Sequence, residues 1–153
     1  MLSAMPVHDN VRCRSLAEES WVEALRERWY QSERAGRDVG DCAIDYWVHY
    51  HWPGFVRARW VEHMLGECFW LEFDRNEFGI LRDTPVDLHP PLDCMIEQLK
   101  RGAENLDIIR WAKHKSPAEK QAVRELLRVI NINAHRMCCF FGTRSAPPLP
   151  PEN

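Results

Sequence analysis

Asp45 and His49 stand four residues apart, with His51 and His63 further along the same stretch. On a helix, residues four apart share a face, so Asp45 could orient the His49 imidazole for acid–base work; with His63 the set defines a candidate enzyme centre. His49 and His51 diverge by about 200 degrees and cannot grip one ion together. No GxSxG, HExxH or phosphate-cradling glycine loop accompanies these residues. A solvent-facing Asp45–His49 ion pair therefore outweighs catalysis, His51 reads as a core histidine, and no catalytic residue is assigned.

A second set is cationic. Lys120, Arg124 and Arg128 repeat every four residues, Asn131 and His135 continue that face, and Lys113 and Lys115 flank the turn before it. Residues 1–109 carry 12 Lys and Arg against 20 Asp and Glu, a net of −8, whereas residues 110–136 carry 7 against 2, a net of +5. A chain polarised in this way can steer an anion to its basic end, or let one copy dock on the acidic surface of another. Helix, turn and basic helix also have the outline of a DNA-binding helix-turn-helix, with Lys113, Lys115, Lys120, Arg124 and Arg128 as phosphate contacts. Against this, the isoelectric point of about 6.2 is far from that of strongly basic nucleic-acid domains.

The third set is aromatic. Trp21, Trp47 and Trp60 fall on expected inward faces, while Trp52 and Trp70 have weaker core assignments. With Arg57 and Arg59, extended by Tyr46 and Tyr50, they outline an exposed patch of the residue types that dominate binding hot spots. The leading functional expectation is an interaction or accessory protein that meets a protein partner, or itself, through Trp52, Arg57, Arg59 and Trp70 and through the basic helix. A nucleic-acid-binding regulator is the first alternative and an enzyme around Asp45, His49 and His63 the second. No metal, cofactor or membrane partner is expected. The six cysteines are scattered, with Cys138 and Cys139 adjacent and no CxxC clip, so they read as small, buried, reduced residues of a cytosolic protein and not as disulfides or zinc ligands. The N-terminus lacks a secretory pattern, which agrees with that location.

The elements that position these sets follow from spacing and caps. At 153 residues, 45% hydrophobic and 28% charged, the chain fits one domain. Residues 1–14 lack apolar periodicity and read as a loose lead-in; 15–142 form the domain, and 143–153, with Pro147-Pro148-Leu149-Pro150-Pro151, a disordered tail. Ser15 with Glu18 makes a capping box for a helix over 16–35 that turns Trp21, Ala24, Leu25 and Trp29 inward and stops at Gly36. Asp38 is the expected N-cap of a second helix burying Ala43, Ile44, Trp47, Val48 and His51. A third starts at Pro53, with Val56, Trp60, Met64 and Leu65 inward and Arg59, Glu62 and His63 outward. Phe69, Leu71 and Phe73 alternate with period two, and turn formers at 74–77 suggest a return strand, so a small β-hairpin is expected over roughly 68–82. Proline-rich 83–91 is a loop and possible seam. Leu92, Met95, Ile96 and Leu99 mark a fourth helix, and Leu106, Ile109 and Ala112 a fifth. Ser116-Pro117-Ala118-Glu119 opens a sixth, running toward Cys138 unless Asn131 or Asn133 breaks it. The class is mainly α: a single-domain bundle of about six helices with a hairpin between two helical halves.

The block Ser32-Glu33-Arg34-Ala35-Gly36-Arg37-Asp38-Val39-Gly40, followed by Ala43 and Trp47, resembles a helix-turn-helix-forming stretch of uncharacterised bacterial proteins of the SEKAGRDVG type. The resemblance covers about fifteen residues and implies a bacterial cytosolic origin and an antiparallel helix pair, with no activity attached. The same residues also read as helix stop, cap and tight reversal.

Overall fold

Helix α1 spans Leu16–Ala35, as its caps predict. Ser15 Oγ accepts the Glu18 N–H at 3.3 Å, and Gly36 closes the helix in the left-handed region at φ 67. A further cap arrives from outside the segment. Glu72 accepts from the Ser15 hydroxyl at 2.7 Å and from the N–H groups of Leu16 and Ala17 at 2.9 and 3.3 Å. Its carboxylate both satisfies donors that a helix start leaves unpaired and meets the positive end of the helix dipole. The computed structural model describes residues 12–135, 137, 139 and 140; the proline-rich tail lies outside them.

Helices α2 (Asp41–Tyr50) and α3 (Trp52–Leu65) follow. Asp38 does not cap α2, whose N-cap is Gly40. Asp38 instead grips Arg28 through two hydrogen bonds of 3.0 and 2.7 Å and accepts the Gly40 N–H at 2.9 Å, while Ser32 Oγ accepts the Val39 N–H at 3.1 Å. The Arg28 hydrogen bond, reinforced by that N–H, holds the Asp38 carboxyl down at about 2. The 32–40 block thus fastens a helix corner. His51, expected in the core, is exposed at the α2–α3 junction because α2 has already ended at Tyr50.

The expected hairpin is a two-stranded parallel pair. Strand β2 (Cys68–Trp70) lies beside β1 (Arg12–Arg14) in the register Arg12–Cys68, Cys13–Phe69 and Arg14–Trp70. Residues 12–14 therefore belong to the fold and not to a loose lead-in. Residues 78–81 form turns because their neighbours are held otherwise. His63, expected to point outward, is fully buried. Its Nδ1 accepts the Trp70 N–H at 3.1 Å, which fixes the tautomer so that Nε2–H donates to the Asp74 carbonyl at 2.8 Å. The Asp74 side chain then caps a 3-10 turn at Arg75–Glu77 by accepting the Asn76 N–H at 2.9 Å. Gly66, in the left-handed region at φ 73, ends α3 where a Cβ would strike the Arg82 guanidinium, which donates to the Gly66 carbonyl at 2.8 Å.

The C-terminal half comprises α4 (His89–Lys100), α5 (Asn105–Ala112) and α6 (Pro117–Ile130). Pro90 and Pro91 occupy the first turn of α4, so the proline-rich loop ends at 88. Helix α6 stops at Ile130, with Asn131 as a left-handed cap at φ 45, and a 3-10 turn Ile132–His135 replaces the continuation toward Cys138. Trp60, Met64, Trp70, Met95, Leu99 and Ile108 form the sealed centre shared by both halves. Among the described residues no helix is long and apolar enough to cross a membrane.

Two apolar faces turn out opposite to expectation. On α1 the small residues Ser20 and Ala24 pack inward with Leu16, leaving Trp21, Val22, Leu25 and Trp29 exposed. On α5, Ile108 takes the core and Leu106 and Ile109 face solvent. The thiols also depart from expectation: Cys13, Cys42 and Cys94 are exposed, Cys139 is half-buried, and Cys68 is buried, its pKa raised chiefly by desolvation. Cys138 lies outside the described residues.

Two outcomes follow. His63→Leu strands the Trp70 N–H and the Asp74 carbonyl in a dry site, which should cost about 2–4 kcal/mol in urea denaturation; a loss below about 1 kcal/mol would show that neither bond matters. Carboxyl NMR should show Asp38 titrating at about 2, and Arg28→Gln should move it toward 3.8. Because the folded value is depressed, the pair's contribution to stability is present above pH 3.8 and disappears as pH falls through 2.

Candidate functional site

Helices α5 and α6 are started by strong local signals. Glu104 and Asp107 form a reciprocal capping box, the Glu104 N–H donating to Asp107 at 2.8 Å. At α6, Ser116 Oγ accepts the Glu119 N–H at 3.2 Å and Pro117 occupies the first position. Between them the Lys115 N–H donates to the Ala112 carbonyl at 3.0 Å, closing a short reversal. Ile108 and Ala112 on one helix, and Val123, Leu126 and Ile130 on the other, bury the inner faces and fix the pair.

That packing leaves an open cleft of about 260 Å³ between the two helices. It is lined by the exposed Ile109, by the buried Ala112 and Val123 beneath it, and by Arg110, Lys113, Lys120 and Arg124 around its edge. Among the described residues none of these four cations has an ion-pair partner, and the acids nearest in sequence are engaged elsewhere. Glu104 pairs with Arg57, Asp107 accepts from the Glu104 N–H, Glu119 pairs with Lys115 at 3.7 Å, and Glu125, next to Arg124, accepts from the Gln121 amide at 3.3 Å. The result is an apolar slot ringed by uncompensated positive charge, suited to an apolar side chain flanked by anions.

The expected site residues divide. Lys113, Lys120 and Arg124 converge on the cleft, whereas Lys115 lies over the Trp111 ring at 4.6 Å and Arg128 is exposed off the rim. The His135 side chain lies outside the description. Arg110 and Ile109 were missed by sequence reasoning, although Arg110 precedes Lys113 by three residues and so shares its helix face.

Of the expected aromatic patch, the two tryptophans are buried, Arg57, Arg59 and Tyr46 are half-buried, and Tyr50 is exposed. Trp52 is buried and donates Nε1–H to the Met137 carbonyl at 2.7 Å, stacking on Phe55 at 6.0 Å. Trp70 is sealed, its Nε1–H donating to Glu62 at 3.2 Å, with the Arg14 and Arg59 guanidinium groups over its ring. Arg57 donates to the Ala103 carbonyl at 2.6 Å and pairs with Glu104 at 3.3 Å. Arg59 lies over Phe55 at 4.6 Å and pairs with Glu62 at 3.0 Å. These arginines and tryptophans hold the fold together because each aromatic N–H and each guanidinium found its partner within the chain.

Asp45, His49 and His63 are not brought together. His63 is sealed with both ring nitrogens committed, while the exposed His49 sets its ring edge-on to Tyr50 at 4.5 Å, and among the described residues no Asp45–His49 ion pair forms. Among the described residues no three His, Cys, Asp or Glu side chains gather as a metal-holding group.

Removing rim charge should leave the fold intact. The double variant Lys120→Ala with Arg124→Ala should melt within about 0.5 kcal/mol of wild type, since it relieves like-charge repulsion and breaks no bond, whereas Arg57→Ala should lose about 1–2 kcal/mol. Equal losses in the two would mean that the rim is structural. Comparison with known proteins finds no family model that matches the chain, no matching curated protein and no matching solved structure.

Proposed function

We propose that the protein is an interaction module whose α5–α6 cleft seats a protein segment combining an apolar side chain with carboxylates. One observation carries this reading: four unpaired cations surround an apolar slot that the fold leaves open. Exposed Leu106 and Ile109 continue the apolar surface along α5. Burying one aliphatic side chain contributes about 1.5–3 kcal/mol, against about 0–1 kcal/mol for each screened ion pair, so apolar anchors supply affinity and the rim supplies orientation and speed.

The same helix pair also supports the nucleic-acid reading, since helix, short turn and cationic helix are in place. Charge weighs against it. Glu119 and Glu125 interrupt the cations on α6, and the chain as a whole is at −3. A phosphate backbone would meet those carboxylates and leave the exposed Ile109 unused.

Fluorescence anisotropy separates the two. The probes are a labelled helical peptide with leucines at three- and four-residue spacing flanked by glutamates, and a labelled DNA duplex. The peptide should bind the full chain with modest salt dependence and weaken at least about tenfold in Lys120→Glu with Arg124→Glu. Tighter binding of the duplex, falling steeply with salt, would replace this reading with the nucleic-acid one. Binding of neither would remove both.

A further inference from the structure

A surface complementary to the cleft exists on the same chain. Val22, Leu25 and Trp29 recur at three- and four-residue spacing on the solvent side of α1, exposed at 53%, 39% and 58%. Glu18 and Glu33 bracket this stripe on the same side of the helix, about 22 Å apart at 1.5 Å per residue. Most other charges of α1 are engaged: Glu19 by Arg14, Glu23 by Arg26 and Arg28 by Asp38. Among the described residues Glu18 and Glu33 have no ion-pair partner. The stripe is therefore an apolar centre with free carboxylates at its ends, which is the chemistry the cleft accepts.

Pairing of α1 with itself is opposed by charge. An antiparallel pair centred on Leu25 sets Glu18 of one copy within a turn of Glu33 of the other, twice. A parallel pair sets Glu18 against Glu18 on the seam. Like charges facing across a helix seam disfavour both arrangements.

We propose that the α1 stripe of one copy docks in the α5–α6 cleft of a second copy. Val22, Leu25 and Trp29 cover the exposed Ile109, and Glu18 and Glu33 meet the cationic rim. This rests on the reading of the cleft given above and names its occupant. Two different surfaces meet, so the contact is heterologous: each copy keeps one free stripe and one free cleft, and association continues into rings or open chains.

The test uses two full-length variants, each blocked on one side. Lys120→Glu with Arg124→Glu reverses the cleft, and Leu25→Ser with Trp29→Ser strips the apolar anchors from the exposed stripe without adding charge; circular dichroism verifies that both stay folded. Sedimentation of wild type at low salt should show an apparent mass rising at least about twofold with concentration and falling as salt screens the rim. Each variant alone should stay monomeric, and their equimolar mixture should form a dimer and nothing larger, joining the intact stripe of one to the intact cleft of the other. Self-association of the cleft variant by itself, or a mixture that stays monomeric, would overturn the proposal. A wild-type chain that stays monomeric yet binds the acidic peptide would overturn it and leave the reading of the cleft standing; a chain that does neither would remove both.

Discussion

The fold hinges on one imidazole in a dry site. His63 leaves α3 toward the core, takes the Trp70 N–H on one ring nitrogen and gives its proton to the Asp74 carbonyl on the other. Buried backbone groups left unpaired cost about 1–3 kcal/mol each, so this ring does for two of them what a sheet partner would otherwise do. Phe69, Phe73 and Phe78 crowd it at 5.0–5.4 Å between ring centres. With the chain held at 70 and 74, Glu72 is presented to the start of α1, where its carboxylate caps the helix. One local arrangement thereby ties the third helix, the strand pair and the first helix together.

That tie also explains why the aromatic and arginine residues around 50 to 70 are spent internally. Trp70 is fixed by its backbone bond to His63, which leaves its ring to be covered, and Arg14 and Arg59 cover it from β1 and α3. Arg57 reaches the other way, to the Ala103 carbonyl between α4 and α5, and so links the two halves of the molecule. Residue types that dominate binding hot spots act here as intramolecular clamps, because a guanidinium over a ring contributes as much within a fold as between partners.

The helices were legible in the sequence because their signals are local. Ser15 and Gly36 bracket α1, and Ser116 and Pro117 open α6, each through a contact within a few residues. What stayed hidden depends on partners distant in sequence. The alternation at 69–73 announces extended chain, but nothing nearby tells that its partner is Arg12–Arg14, 56 residues earlier. The role of His63 was invisible for the same reason. The inward face of α1 was misjudged on size: the large Trp21, Leu25 and Trp29 suggested a core stripe, whereas small Ser20 and Ala24 permit the close approach that α1 makes. Of the candidate site, Lys113, Lys120 and Arg124 were legible from four-residue spacing and charge. The slot they surround was not, because it is made by the angle between two helices.

The unpaired rim, like the exposed stripe of α1, is a part of the molecule that folding does not account for. Some cations elsewhere have a carboxylate beside them, Glu62 for Arg59, Glu104 for Arg57 and Asp38 for Arg28. Around the cleft the nearby acids have partners of their own, and four positive charges repel one another beside the exposed side chain of Ile109, which water must cover. Both features work slightly against the isolated fold, since like charges raise its free energy and exposed Ile109 and Leu106 contribute nothing to the core. An acidic, apolar segment reverses the sign of both at once by supplying counter-charge and removing the same surface from water. Bare phosphate would relieve only the repulsion and would leave Ile109 wet. The coincidence of the two defects in one place is therefore a statement about the chemistry of what fills it.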